Sequence, residues 1–128
     1  MFGFLKKKKL PAGLRGKGQK GEELAKNYLI KKGYKILDQN FYTRYGEIDL
    51  IALKDNALIF FEIKTRTSRA FGYPEEAVDF RKQGHLKKAV EIYLLKKGIF
   101  NKDLQIDVLS IELGENSKQT EIRHLENI

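Results

Sequence analysis

The 128 residues carry 25 Lys and Arg against 17 Asp and Glu, a formal net charge of +8, and are 41% hydrophobic and 33% charged. This is the composition of a soluble globular chain of one domain's length, and its charge points to a polyanionic partner. With no cysteine, and His85 and His124 the only imidazoles, disulfides and a structural zinc site are excluded; no apolar run reaches membrane-spanning length, so a cytoplasmic protein with no membrane partner is expected.

Residues 1–18 combine Lys6, Lys7, Lys8 and Lys9 with Pro11 and glycines at 13, 16 and 18, a mixture that buries little surface. They read as a flexible basic arm, either a phosphate-seeking tail or simply an unstructured terminus, ahead of a single domain over residues 19–128. From Gln19 to Lys32, Leu24, Ala25, Tyr28 and Leu29 recur at helical spacing and Gly33 supplies the stop. Glu22 falls on the inward stripe, one turn before Ala25. Either it serves the helix dipole or it faces something inside the protein.

Tyr34 to Asn40 reads as a strand, joined by Phe41–Gly46 to a hairpin. Residues 47–53 and 57–64 are rich in Ile, Leu and Phe, and Asp55 and Asn56 between them both tolerate left-handed backbone. A two-residue loop there pairs Lys54 with Ala57, Asp49 with Glu62, and Glu47 with Lys64, so two carboxylates and an ammonium meet on one surface. Both faces of the strands are apolar near the turn, Ile51, Leu53, Leu58 and Phe60 on one and Leu50, Ala52, Ile59 and Phe61 on the other, as in a buried sheet. A carboxylate pair emerging from such a core needs compensation, which a hard divalent cation would supply. The plainer alternative makes Glu62 and Lys64 ordinary edge-strand charges, or Glu47 and Lys64 an ion pair of small worth.

After a loop over Thr67–Tyr73, Pro74, Glu75 and Glu76 open a helix running to Lys97 and stopped by Gly98, with breaks conceivable at Asp79 or Gly84. Its core side comprises Ala77, Phe80, Leu86, Ala89, Val90, Tyr93 and Leu94. Arg81, Lys82, His85, Lys87 and Lys88 crowd its first half with cations, against the dipole; a nearby phosphate backbone or a solvated charged face accounts for them. Leu104–Leu113 reads as a strand, Gly114–Thr120 as a turn, and Glu121–Ile128 as an edge strand or a tail. The order helix, three strands, helix, strand predicts an α/β fold, a mixed sheet flanked by helices, with the right-handed crossover making the late strand parallel to the hairpin's second.

Gly-Glu-Ile-Asp-Leu-Ile-Ala (46–52) followed by Phe-Phe-Glu-Ile-Lys-Thr-Arg (60–66), with Gly21-Glu22-x-x-Ala25 before and Phe71-Gly-x-Pro-x-x-Ala77-Val78 after, resembles the YraN family of bacterial proteins, placed in the PD-(D/E)XK nuclease superfamily. Within that superfamily the pattern is most similar to the archaeal Holliday junction resolvases. The resemblance implies a restriction-endonuclease-like core and a Mg²⁺- or Mn²⁺-dependent phosphodiesterase acting on DNA, more than RNA, in branched or repair intermediates. It implies catalytic roles for Asp49, Glu62, Lys64 and Glu22. The metal would be held by Asp49, Glu62, the Ile63 carbonyl and, through water, Glu22. Arg44, Arg66, Lys82 and His85, with the basic arm, are candidates to hold the nucleic-acid backbone, and a homodimer follows by analogy with junction symmetry. Ile48 stands where the superfamily often has proline, and Tyr42 and Gln105 stand where the resemblance leads one to expect arginine. The rival reading is a nucleic-acid-binding repair or assembly module of the same fold without turnover.

Overall fold

The hairpin sets the sheet. In the structure, a computed structural model describing residues 17–67, 72–114 and 120–128, β2 (Gly46–Lys54) and β3 (Ala57–Arg66) turn about Asp55 and Asn56. Lys54 pairs with Ala57, and the ladder runs back through Leu53–Leu58, Ala52–Ile59 and Ile51–Phe60 to Leu50–Phe61, the expected register. Asp55 has the left-handed backbone that the turn requires, with φ of 55°. β1 (Lys35–Thr43) lies antiparallel to β2, and β4 (Asp103–Glu112) lies parallel to β3 from Ala57–Asp103 to Arg66–Glu112. β5 (Glu121–Leu125) is antiparallel to β4, so the edge-strand alternative holds, and the sheet order is β1-β2-β3-β4-β5. The fold is α/β: helix, three strands, helix, two strands.

Both faces of the hairpin are buried because each meets a helix. Leu50, Ala52, Ile59 and Phe61 pack with Ala25 and Leu29 of α1 (Lys17–Lys31); Ile51, Leu58 and Phe60 pack with Ala89, Val90 and Tyr93 of α2 (Phe80–Lys97). At roughly 1.5–3 kcal/mol for each large apolar side chain removed from water, these two layers make β2 and β3 the rigid centre. α1 sits very close to β3: a Cβ on Gly21 would lie 1.9 Å from Thr65 Oγ1. Glycine at that point lets the helix approach and carries Glu22 to the end of the sheet. No helix among the described residues is long and apolar enough to cross a membrane.

Two sequence-based expectations are corrected. β1 does not end at Asn40 but runs on to Thr43, with Asn40 itself at φ 52°. Phe41, expected in a connection, is instead fully buried, its ring 5.1 Å from that of Tyr93. The second helix does not begin at Pro74. Pro74–Ala77 is one 3₁₀ turn, and α2 starts afresh after Asp79, whose carboxylate accepts the Lys82 N–H at 2.9 Å. The helical phase therefore resets at Asp79, not Gly84. Ala77 is exposed and Phe80 is 91% exposed rather than in the core, while Leu86, Ala89, Val90 and Tyr93 are buried as expected.

The 3₁₀ turn is pinned to the far edge of the sheet by Arg123 of β5. Its guanidinium donates to both oxygens of Glu75 (2.8 and 3.1 Å), to Glu112 (3.0 Å) and to Glu121 (3.2 Å), and stacks 4.5 Å from the Tyr73 ring. The buried Ser110 hydroxyl also donates to Glu75. These hydrogen bonds from Arg123, the largest cause, hold the Glu75 carboxyl down at about 2.

Candidate active site

The β2–β3 ladder ends at Leu50–Phe61, yet β2 stays paired to β1 as far as Thr43–Gly46 and β3 stays paired to β4 as far as Arg66–Glu112. The sheet therefore parts between its two central strands. A cleft of about 300 Å³ opens there, lined by Glu22, Glu47, Asp49, Glu62, Ile63, Lys64, Thr65 and Lys82. Glu22 reaches it from α1 on one face, and Lys82 from α2 on the other.

Asp49 is 8% exposed, and its Oδ2 accepts the Ile63 N–H at 2.7 Å. In an unbroken ladder that N–H would serve the β2 backbone, so the side chain caps the point of parting. Burial pushes the Asp49 carboxyl well above the usual range, with the charge of Glu62 adding to the rise; the Ile63 N–H opposes it, and Glu47 and Glu22 raise it further. Glu62 is 3% exposed. Lys64 Nζ and Lys82 Nζ each stand 3.4 Å from its Oε1, and its Oε2 is buried without a hydrogen-bond partner among the described residues.

Asn40 organises the remaining acids. Its amide donates to Glu22 Oε1 at 3.0 Å and to Glu47 Oε2 at 2.8 Å. Tyr42 is 43% exposed, and partial desolvation and then the neighbouring Glu47 carboxylate push its hydroxyl up to about 12. Tyr42 thus occupies the position where arginine was expected by supporting an acid.

The cleft brings together Glu22, Asp49, Glu62, Ile63 and Lys64. Lys82, a candidate to hold a nucleic-acid backbone, stands 3.4 Å from Glu62 Oε1. Glu47, expected opposite Lys64, is held by Asn40, because the ladder stops short of that pair. Arg44 is exposed and stacks 5.0 Å from the Tyr45 ring, which Lys88 also approaches at 5.0 Å. Arg66 and His85 are half-buried, and neither lines the cleft. Lys6–Lys9 lie outside the described residues. Sequence reading missed Asn40 and Thr65, and no pattern in the sequence singles out either.

Two groups of acids bear on metal binding. Among the described residues, the trio of donor atoms mutually within 4.8 Å is Asp107, His124 and Glu126, not the cleft carboxylates. Asp107, however, is already engaged through both oxygens. Its Oδ1 accepts from Gln105 Nε2 (2.9 Å) and the Asn127 N–H (2.8 Å), and its Oδ2 lies 2.7 Å from His124 Nε2. That network ties β4 to the residues after β5, and Gln105, at the second position expected to hold arginine, belongs to it. The cleft instead offers hard carboxylate oxygens, one of them orphaned and buried, which is the donor chemistry that Mg²⁺ or Mn²⁺ takes.

The sequence model of an uncharacterised protein family, UPF0102, matches residues 21–111, a span that contains every residue lining the cleft. A UPF0102 protein of Syntrophomonas wolfei is 54% identical over 107 residues, covering 84% of this chain and 91% of that protein. One of Alkaliphilus oremlandii is 46% identical over 112 residues (86% and 94%), and one of Natranaerobius thermophilus 45% identical over 113 residues (87% and 94%). The chain therefore belongs to the UPF0102 family, where its YraN-like motifs pointed.

Proposed function

We propose that this protein is a Mg²⁺- or Mn²⁺-dependent endonuclease-like hydrolase of DNA phosphodiester bonds, built on the PD-(D/E)XK framework and acting in the cytoplasm on branched or repair intermediates. One observation carries the reading: two buried carboxylates, Asp49 and Glu62, share a cleft with Lys64, and one Glu62 oxygen has no hydrogen-bond partner among the described residues.

Asp49, Glu62 and the Ile63 carbonyl would hold the ion, with Glu22 acting through water. When bound, such an ion makes a neighbouring water more acidic and draws charge from the phosphodiester. Lys64 sits beside Glu62, at the place from which an ammonium orients the attacking water or stabilises negative charge developing on the phosphate. Asn40 keeps Glu22 and Glu47 fixed at the cleft wall. Arg44 and Lys88 flank Tyr45 as an exposed cationic surface suited to the phosphate backbone of a duplex. In-line hydrolysis would leave a 5′ phosphate. A branched substrate with two-fold symmetry calls for two copies of the site, hence a homodimer.

A nucleic-acid-binding module without turnover is favoured by one feature, the two ammoniums that already compensate Glu62 Oε1. A panel of junction, flap, nicked and single-stranded substrates with Mn²⁺ separates the readings. Cleavage by the wild-type chain that Asp49→Ala abolishes and Lys64→Ala cuts by about 10²-fold or more supports the hydrolase. Binding without cleavage of any substrate identifies the module, and neither binding nor cleavage rejects both.

A further inference from the structure

We propose that Lys82 is a second working lysine of the cleft, holding the Glu62 carboxylate while no cation is bound and exchanging it for a substrate phosphate oxygen when one is. The proposal rests on reading the cleft as a cation-dependent phosphodiesterase site. Lys82 Nζ approaches the same Glu62 oxygen as Lys64, at the same 3.4 Å. Both separations exceed the roughly 2.7–2.9 Å of a good charge-assisted hydrogen bond, so the carboxylate is neutralised without being locked.

The two lysines are mounted differently. Lys64 belongs to β3 itself, two residues beyond Glu62, in a strand paired to β4 at Ser110. Lys82 comes from the first turn of α2, where a cation opposes the helix dipole, so helix preference does not account for it. The Glu62 carboxylate does. A dication at Glu62 would compete with both ammoniums for that carboxylate's oxygens, and the one that gives way is Lys82, which reaches across from another element, whereas Lys64 is held two residues along the same strand. The Lys82 side chain is 31% exposed and that of Lys64 32%, so both have solvent to move into and the element that carries each is what separates them. Once released, a compact ammonium suits a phosphate oxygen as a point charge. The exchange makes and breaks ion pairs only.

Thermal melts of the full chain across a Mn²⁺ series test this without reference to activity. Lys82→Met, which keeps the stem and removes the charge, should reach half-maximal Mn²⁺ stabilisation at about fivefold to tenfold lower concentration than wild type. Lys82→Arg should stay near the wild-type midpoint. On a cleaved substrate, Lys82→Met should raise KM by about tenfold. A merely structural ion pair would lower the melting temperature at every Mn²⁺ concentration and leave the midpoint in place, which overturns the proposal. Lys82→Gln gives the same reading if the methionine variant does not fold. A wild-type chain with no Mn²⁺ response at all overturns the phosphodiesterase reading and this exchange with it, whereas a responsive wild type with an unmoved Lys82→Met midpoint overturns the exchange alone.

Discussion

The cleft and the Arg123 clasp are both carboxylate clusters set on neighbouring strands of one sheet, and they are wired in opposite senses. In the clasp, Glu75, Glu112 and Glu121 surround one guanidinium whose donors face their oxygens, and the Glu75 carboxyl is held at about 2. In the cleft, Asp49 is pushed up by burial and by Glu62, and a Glu62 oxygen has no donor among the described residues. Ser110 of the clasp pairs in register with Lys64 of the cleft, so a single strand step separates an arrangement that stabilises the protein from one that costs it stability. The difference teaches where to look for function: a fold retains under-satisfied buried charge only where something else completes it.

The sharpest way to break this contrast is to remove each cluster's central group. Arg123→Ala leaves three acids facing one another without their cation and should cost about 2 kcal/mol, read as a lowered urea midpoint at unchanged slope. Asp49→Asn should act in the other direction. The amide oxygen can still accept the Ile63 N–H, while the charge beside Glu62 disappears, so the metal-free chain should gain about 1 kcal/mol, a rise of a few degrees in Tm. The same change should erase stabilisation by Mn²⁺. A metal-free Asp49→Asn chain less stable than wild type would mean that the cleft is as well satisfied as the clasp.

The two clusters also lean opposite ways with pH. Glu75 falls from its ordinary 4.5 to about 2 in the folded chain. The stability it contributes is therefore present above about 4.5 and lost as pH drops toward 2. Asp49 is raised, so the folded state binds its proton more tightly than the unfolded one. Its contribution is favourable at low pH and lost as pH climbs through the raised value. Urea midpoints measured from pH 2 to 8 should show Glu75→Gln flattening the acid limb, and Asp49→Asn removing part of the decline on the neutral side.

Much of this architecture is written locally. Asp55 and Asn56 fix the hairpin loop, and a two-residue loop fixes the register, which assigned Leu50, Ala52, Ile59 and Phe61 to the α1 face; Asp49 and Glu62, expected as the next ladder pair, lie one step beyond its end and instead line the same cleft. The stripe of α1 likewise carried Glu22 inward. What sequence could not supply are events that depend on distant partners. That the ladder stops at Leu50 could not be read from the strand pattern either, because a side chain, Asp49, takes the Ile63 N–H that the pattern assigns to backbone. Asn40 bonds two acids 18 residues before and 7 after it, and Arg123 meets a glutamate 48 residues away. The trio of Asp107, His124 and Glu126 escaped notice for the same reason: Asp107 meets His124 and the residue after β5 only once β5 has paired with β4.

The smallest effect tests whether clasp and cleft are mechanically separate. Phe80 is the first residue of α2, the helix that presents Lys82, just past the 3₁₀ turn held by Arg123. If residues 74–97 formed one continuous helix, Phe80 would sit on its core side, and Phe80→Ser would cost about 3–5 kcal/mol as a buried aromatic lost. With the helical phase reset at Asp79 and the ring 91% exposed, the cost should stay within about 0.5 kcal/mol. The double variant with Arg123→Ala should then be additive, because the break at Asp79 keeps strain in the clasp from reaching α2. A large or strongly non-additive loss would join the two clusters through one rigid element, and the placement of Lys82 on Glu62 would then depend on Arg123.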